Sequence, residues 1–530
     1  MRESEGTSFG ELAVSDCTEV ETPLFEAGED APADDAAGPA DAAAQTAARA
    51  EASHHAHDVA RRAWYGLLTQ AVDKILPVII LLYLARVLDP ASFGIYAFVI
   101  AYLAFFQIVS DYSIDTVLVR TMSQDPAERD ALLYAGLGLK LTMALCSVCI
   151  SVAFVGIASN HQTPPSLMLV AAFNLPTALG GAYRAWHRAR LEIFALFWQA
   201  ALRAVLLAIG VWIAVLNGSS LTSIFLAMSG ANLLTFFIIA FVLRKKIAPR
   251  IRFDLRRWRR LAGGVIPLML NAFAMTVSLR IGQILLMTLR GPVEVGQLGA
   301  ASRVTEAFSL LPEALMISIY PLMAGLHARE SPALLTTAER SVRYLVVATG
   351  IPVVLCAVQS GLIMSKLFGP SFVEAGVILS LLAFTALFSA TGTVILNLLV
   401  ATHNEKAMSR NTLVFAGVGA TLSWLAISTF GTIGAAVAAL ATTAASQVSL
   451  AMLPSTRRYV RATLASAARP LAAVLLTVLA TRLTGLEGVA SMAASMGIYV
   501  IFVAAFGIFG AAERRLLRSL LEARGIRVGN

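Results

Sequence analysis

Long apolar runs dominate the chain from residue 61 onward, and short polar turns separate them. Each run holds about 18 to 25 residues, the length that an α-helix needs to cross the roughly 30 Å hydrocarbon core of a bilayer. About fourteen runs meet this length criterion, near residues 62–85, 93–117, 131–157, 166–184, 194–216, 221–243, 262–289, 296–320, 341–364, 373–401, 411–429, 432–453, 468–485 and 488–510. The pattern predicts an all-α, polytopic membrane protein with about 14 transmembrane helices.

The composition agrees with a membrane environment. Of the 530 residues, 57% are hydrophobic and 14% are charged, and the mean hydropathy is +0.73. Soluble proteins carry about 25% charged residues, so this chain has too little polar surface for a water-soluble particle of its size. We therefore expect membrane lipid to be its solvent.

The first 58 residues differ from the rest because they are rich in Ala, Asp, Glu and Pro and lack a sustained apolar period. They also lack the basic start, apolar middle and cleavage site of a secretory signal, so we predict a disordered acidic tail (1–58) in the cytoplasm. The predicted domains that follow are an N-terminal lobe of helices 1–6 (59–243), a basic cytoplasmic linker (244–261), a C-terminal lobe of helices 7–12 (262–453), two extra helices 13–14 (454–510) and a basic cytoplasmic tail (511–530).

Lysine and arginine residues fall mostly in alternate loops. If the first helix runs from the inside to the outside, the inner loops hold roughly seven times as many of these residues as the outer loops, as the positive-inside rule requires. We predict a multi-pass protein of the bacterial inner membrane with both termini in the cytoplasm. The same rule accounts for most of the basic excess, so we do not expect nucleic acid as a partner.

Two similar turns suggest an internal repeat. The segment LDPASFGIYA follows the first helix and LRGPVEVGQLGA follows the seventh. Aligning Pro90 with Pro292 also aligns Gly94 with Gly296. Six helices separate the copies, so the two halves would keep the same orientation about an axis along the membrane normal. The alternative is that this turn is simply a common helix connector.

Charged residues inside the apolar runs are the candidates for function, because each costs several kcal/mol in hydrocarbon unless it faces water or a partner. They are Asp73, Lys74, Asp111, Asp115, Lys140, Arg203, Arg280, Arg303, Glu306 and Glu313. Some of them have a purely structural explanation: Arg303 and Glu306 are three residues apart and can pair on one helix face. Lys140 can extend its amine toward the membrane surface.

The segment YLARVLDPASFGIYAFVIAYLAFFQIVSDYSIDTVLVR, which is Tyr83 to Arg120, resembles the opening of polysaccharide exporters and Wzx-type oligosaccharide flippases. These proteins belong to the multidrug/oligosaccharidyl-lipid/polysaccharide (MOP) exporter superfamily. Further similar segments are Ile266 to Leu286, Leu310 to Ala324, Phe368 to Gly376 and Phe430 to Ala439. The resemblance covers Arg61 to about Leu453. One departure is that family members commonly carry an acid two residues after the arginine of the seventh helix, where this chain has Gly282.

The resemblance implies that the first and seventh helices flank a central cavity between two lobes. The cavity would bind the diphosphate of a polyprenyl-linked oligosaccharide through basic side chains, because arginine meets phosphate oxygens with paired hydrogen bonds. The candidate substrate-binding residues are Arg280, Arg303, Lys74, Arg203 and Lys140. The acids Asp73, Asp111, Asp115, Glu306 and Glu313 would be charge partners or ion-coupling groups.

The expected activity is flipping of this lipid-linked oligosaccharide to the outer face of the membrane by alternating access. The lipid tail would stay in a lateral groove that helices 13 and 14 help to form. Expected partners are membrane lipid, the lipid-linked substrate, and polymerase or glycosyltransferase proteins of the same pathway.

Two other function classes remain open. An ion-coupled multidrug exporter shares the architecture, but its cavity should be acidic to hold cationic drugs. A non-transporting scaffold for polymer synthesis would use the basic segment Arg244 to Arg260 to bind a partner or anionic lipid. The polar loops are short and contain no Walker-type loop, HExxH or GxSxG motif, so we expect no enzyme, metal or cofactor.

Overall fold

A computed structural model describes residues 61, 64–66, 68–110, 112–158, 164–245, 251–485 and 488–508. The predicted tails (1–58 and 511–530) and Asp111 lie outside these residues. The helices are α1 Trp64–Val87, α2 Pro90–Ser110, α3 Tyr112–Gln124, α4 Arg129–Ala158, α5 Pro165–Ala172, α6 Gly180–Ala189, α7 Ile193–Leu216, α8 Leu221–Leu243, α9 Leu255–Leu289, α10 Pro292–Ala307, α11 Leu310–Ala328, α12 Ala333–Val358, α13 Ser360–Phe368, α14 Ala375–Ala401, α15 Glu405–Met452, α16 Arg457–Leu483 and α17 Gly488–Ala505. Short 3₁₀ segments lie at Leu175–Leu179 and Pro370–Phe372.

The helices match the predicted runs in order and position. Within the described residues, 11 helical segments are long and apolar enough to cross a membrane, and a shorter apolar helix spans Ala490–Ala505. Helix α15 has 48 residues and contains two predicted runs, since the backbone changes direction at Gly431 (φ 58°, ψ −133°). The prediction of an all-α, polytopic membrane protein is confirmed.

Several boundaries differ from the prediction. The predicted runs 93–117, 296–320 and 341–364 each contain two helices, which are α2 with α3, α10 with α11, and α12 with α13. The predicted run 166–184 is not one helix, because α5, a 3₁₀ segment and α6 share it; a proline at position 176 cannot donate the amide hydrogen that a continuous helix needs. Helix α9 begins at Leu255, inside the predicted linker. The carboxylate of Asp254 accepts hydrogen bonds from the backbone amides of Arg256 and Arg257, and the bond from Arg257 contributes most to lowering the pKa of Asp254. This N-cap starts the helix before the apolar run does.

Helices α2 and α10 pack against each other through the two aligned glycines. A Cβ atom on Gly94 would overlap the Pro292 carbonyl, and one on Gly296 would overlap the Pro90 carbonyl. The contact is reciprocal, as a two-fold relation between the two turns predicts. Close backbone approach through small residues is a common way for membrane helices to associate.

Aromatic and polar contacts surround this glycine contact, and we call this end of the helices the Gly94 end. The ring of Phe93 lies 6.2 Å from that of Phe368 and 5.5 Å from that of Phe372 in edge-on geometry. Arg86 Nε donates to the Leu367 carbonyl at 3.1 Å. These contacts join the start of α2 to α13 and the 3₁₀ segment that follows it.

The opposite end carries the turn between α3 and α4 and the start of α9, and we call it the Trp258 end. Trp258 Nε1 donates to the Ala135 carbonyl at 2.9 Å, and Arg257 pairs with Glu128 at 3.3 Å. Leu261 is buried in a hydrophobic cluster formed mainly by α3, α4, α6 and α8. The first turns of α9 are therefore fixed to the preceding helices.

Candidate functional site

A cavity of about 370 Å³ lies between α2, the α5–α6 break, α7 and α8 on one side and α9 and α10 on the other. Its charged lining residues are Asp73, Arg184, Arg203, Arg280 and Arg303, and its amide lining residues are Gln107, Asn174, Gln199 and Asn232. Arg203 is ten residues from the start of α7, about 15 Å along the helix axis and hence near the middle of a membrane-crossing helix.

A single carboxylate on α10 binds two of the cavity arginines. Arg280 Nη1 donates to Glu306 Oε1 at 3.0 Å, and Arg303 Nη1 donates to Glu306 Oε2 at 2.9 Å. The Arg280 side chain is 16% exposed and that of Arg303 is 27% exposed. The two guanidinium groups therefore keep donors for another acceptor, and the three side chains together carry a net charge of +1.

A second ion pair contributes no net charge. Arg203 Nη2 on α7 donates to Asp73 Oδ1 on α1 at 2.6 Å. Both side chains are about one-third exposed. The pair joins α1 to α7 at the cavity wall.

Arg184 on α6 also lines the cavity and forms no ion pair with an acid of the described residues. The sequence pattern does not single out Arg184, because the predicted fourth helix ends at this residue and its charge counts toward an inner loop. The break in the helix places Arg184 beside the cavity instead. Among the described charges, four guanidinium groups against the carboxylates of Asp73 and Glu306 leave a net charge of +2.

The amide side chains add hydrogen-bonding groups to the same cavity. Asn232 Nδ2 donates to the Met228 carbonyl at 2.9 Å, and this bond does not use the Oδ1 acceptor. Gln199 is 8% exposed, and its buried Oε1 has no hydrogen-bond partner among the described residues. Amide groups both donate and accept, so they suit hydroxyl-rich ligands.

Lys140 does not lie at the cavity. Its side chain is fully buried, and Nζ lies 2.5 Å from Asp115 Oδ1 and 2.9 Å from the Ala178 carbonyl that it binds. A Cβ atom on Gly181 would overlap both charged groups. Lys140 therefore does not line the cavity; its amine binds a carbonyl within the α5–α6 break instead.

Lys74 is also outside the cavity lining. Its amine pairs with Glu313, which joins α1 to α11. Neither residue lines the cavity. Of the ten candidate residues, the structure thus gathers Asp73, Arg203, Arg280, Arg303 and Glu306 around one cavity and leaves the described others apart from it.

Residues 59–327 match the polysaccharide biosynthesis protein family. The chain belongs to this family. More than half of the sequence lies within the match, which includes α1 to most of α11 and all of the charged cavity residues. No curated protein sequence matches the chain.

Solved structures with the same fold are transporters. The lipid II flippase MurJ in an inward closed conformation has a TM-score of 0.66 and 15% identity, over 86% of this chain and 100% of MurJ. An inward-facing multidrug transporter of the MATE family and MOP superfamily has a TM-score of 0.56 and 11% identity, over 77% and 98% of the two chains. The eukaryotic MATE transporter AtDTX14 scores 0.53 at 12% identity, over 76% and 97%. The family match thus shows the family, and these structures show that the chain shares the fold of MurJ and of MATE transporters.

Proposed function

We propose that this protein flips a polyprenyl-diphosphate-linked oligosaccharide from the cytoplasmic to the outer face of the bacterial inner membrane, for polysaccharide biosynthesis. The observation that carries the proposal is the cavity of Arg184, Arg203, Arg280 and Arg303, whose described charges sum to +2. A diphosphate joining a sugar to a lipid carries two negative charges. The cavity neutralises this head group and so lowers the free energy of placing it in the middle of the membrane.

The arginines provide hydrogen bonds as well as charge. Each planar guanidinium can give two parallel hydrogen bonds to a phosphate, which an ammonium group cannot do. Among the described residues, no carboxylate pairs with Arg184, whereas Arg280 and Arg303 share one. The amides of Gln107, Asn174, Gln199 and Asn232 would bind sugar hydroxyls beside the diphosphate.

Alternating access accounts for the geometry of the helices. In this structure the glycine contact joins α2 to α10 at the Gly94 end. The positive-inside rule places that end on the outside of the membrane and the Trp258 end in the cytoplasm. The head group would then enter from the cytoplasmic side, and separation of Gly94 from Gly296 would release it on the outside.

A multidrug exporter of cationic compounds is the second candidate, since MATE transporters share the fold. The four cavity arginines oppose it, because like charges within a low-dielectric cavity repel.

The scaffold alternative makes a different prediction. Neutralising the basic segment Arg244 to Arg260 would disturb assembly with polymer-synthesis proteins and leave flipping intact.

The test is flipping of a lipid-linked oligosaccharide by purified protein in vesicles. The double variant Arg280→Gln/Arg303→Gln should reduce the flipping rate at least tenfold, because it removes both guanidinium groups and leaves Glu306 as a bare negative charge. Arg329→Gln is the matched control, since Arg329 directly follows α11 and is exposed outside the cavity. Unchanged flipping in the double variant would overturn the proposal.

A further inference from the structure

A second, apolar groove lies against the cavity, on the membrane-facing side of α7 and α8. It has a volume of about 490 Å³, and its lining is almost wholly apolar. Trp198, Val205 and Val242 line it, and their side chains are 66%, 54% and 65% exposed. Since both helices are long and apolar enough to cross a membrane, these exposed side chains face lipid.

The groove and the cavity share a wall. Gln199 of α7 and Ile239 of α8 line both spaces. These two side chains therefore lie between the apolar groove and the cationic cavity. Gln199 is more than nine-tenths buried, and its Oε1 lacks a hydrogen-bond partner among the described residues. A buried acceptor without a partner is costly, and Gln199 is thus able to accept a hydrogen bond from a ligand at this wall.

Charged groups lie on both sides of the shared wall. Glu192 and His187 lie at one end of the groove, and Glu192 pairs with Arg190 at 2.9 Å. Across the wall, the cavity carries a net charge of +2 among the described residues. A molecule that fits both spaces has an apolar chain joined to a negatively charged head group.

We propose that this groove binds the polyprenyl chain of the substrate whose diphosphate occupies the cavity, with the chain passing between α7 and α8 beside Gln199. The inference rests on the proposed function and adds the path of the lipid. It differs from the expectation that the predicted helices 13 and 14, which correspond to α16 and α17, form the groove. The cleft formed there by α12, α16 and the end of α17 is lined by Glu339, Arg343 and Arg469, and charged side chains suit an isoprenoid chain poorly.

Photo-cross-linking tests the proposal on the full chain in phosphatidylethanolamine and phosphatidylglycerol vesicles. A photoreactive phenylalanine analogue replaces Val205 or Val242 in the groove, or Leu234 or Phe237 as controls. The control residues are exposed on α8 but do not line the groove. The probe is a radiolabelled polyprenyl-diphosphate disaccharide. We expect labelled adducts at both groove positions, at least five times the yield at the controls.

The yields decide between occupants. Phospholipid adducts without labelled substrate at the groove positions would overturn the proposal, as would equal labelling at groove and control positions. A second measurement uses Ala201→Phe, which fills the groove. This variant should lower flipping of the long-chain substrate at least fivefold and keep wild-type affinity for a water-soluble diphosphate sugar that lacks the chain. An equal loss for both ligands would also overturn the proposal.

This pair of readouts separates the two proposals. If the wild-type cavity fails to bind the water-soluble diphosphate sugar, the proposed function fails, whatever the cross-linking yields. If the cavity binds it and the groove positions are not labelled, only the chain path fails.

Discussion

Lys140 and Asp115 form an ion pair at 2.5 Å in which the lysine side chain is fully buried. The pair lies where α3, α4 and α6 meet, and the lysine also binds the Ala178 carbonyl in the helix break. Burying charges is costly, and such a pair is retained only when its hydrogen bonds are satisfied. Its position beside the break links the stability of the fold to the cavity, because α6, which follows the break, carries Arg184.

Replacing only the lysine should therefore destabilise the protein strongly. We expect Lys140→Met to cost about 3–5 kcal/mol, since the largely buried charge of Asp115 loses its lysine partner. The double variant Lys140→Met/Asp115→Asn should recover at least half of the loss. Thermal unfolding of the purified protein in detergent measures both. A single variant as stable as the wild type would show that the pair does not support the break.

The glycine contact predicts a second pair of effects. Gly94→Ala should lower the unfolding temperature and impair flipping, because its methyl group would overlap the Pro292 carbonyl and force α2 away from α10. Gly156→Ala is the control on another membrane-crossing helix, since no heavy atom lies within 4 Å of its Cβ position. If the two variants behave alike, the close approach of α2 and α10 is unimportant.

The direction change in α15 makes a third site sensitive. Gly431 has φ 58° and ψ −133°, and a Cβ atom there would lie 2.9 Å from Glu294 Oε2. Arg290 Nη2 donates to the Ser428 carbonyl at 3.0 Å, at the end of the first half of α15. Gly431→Ala should cost about 1–3 kcal/mol from backbone strain. Gly417→Ala in the same helix, with open space around it, should be neutral or stabilising in the same thermal assay.

A fourth prediction concerns the cavity charge. Arg184→Gln should weaken binding of a water-soluble diphosphate sugar about tenfold or more, since a hydrogen bond to a charged group contributes about 1.5–3 kcal/mol. Glu306→Gln should strengthen binding, because it frees the donors of Arg280 and Arg303 and raises the net charge from +2 to +3. Calorimetric titration at low salt measures both, and weaker binding by Glu306→Gln would contradict the charge argument.

The sequence predicts the helices well and the pairing of charges less well, for a physical reason. Length and hydropathy are local properties, so the apolar runs locate the membrane-crossing helices. The partner of a charge depends on which helices pack together. Lys140 and Arg280 look alike in sequence as single bases inside apolar runs. Only the packing shows that one is buried against Asp115 and the other lines the cavity.

The position of Arg184 is mispredicted because a helix break is missed. Counting residues 166–184 as one helix puts this arginine at a membrane surface. The proline at position 176 is a sequence signal for a helix break, and a break there places Arg184 nearer the middle of the fold. The local pattern cannot say whether a proline bends a helix or divides it, because neighbouring helices decide whether the freed carbonyls find donors.

The reciprocal contact between Gly94 and Gly296 also has the symmetry of a subunit interface. Each glycine meets the carbonyl of the other segment's proline, so the same small patch is used twice with its own copy. That is the geometry of an isologous interface, which in most proteins joins two identical subunits. Here both copies of the patch belong to one chain, so the two halves need not be identical, and Arg280, Arg303 and Glu306 lie in one half only.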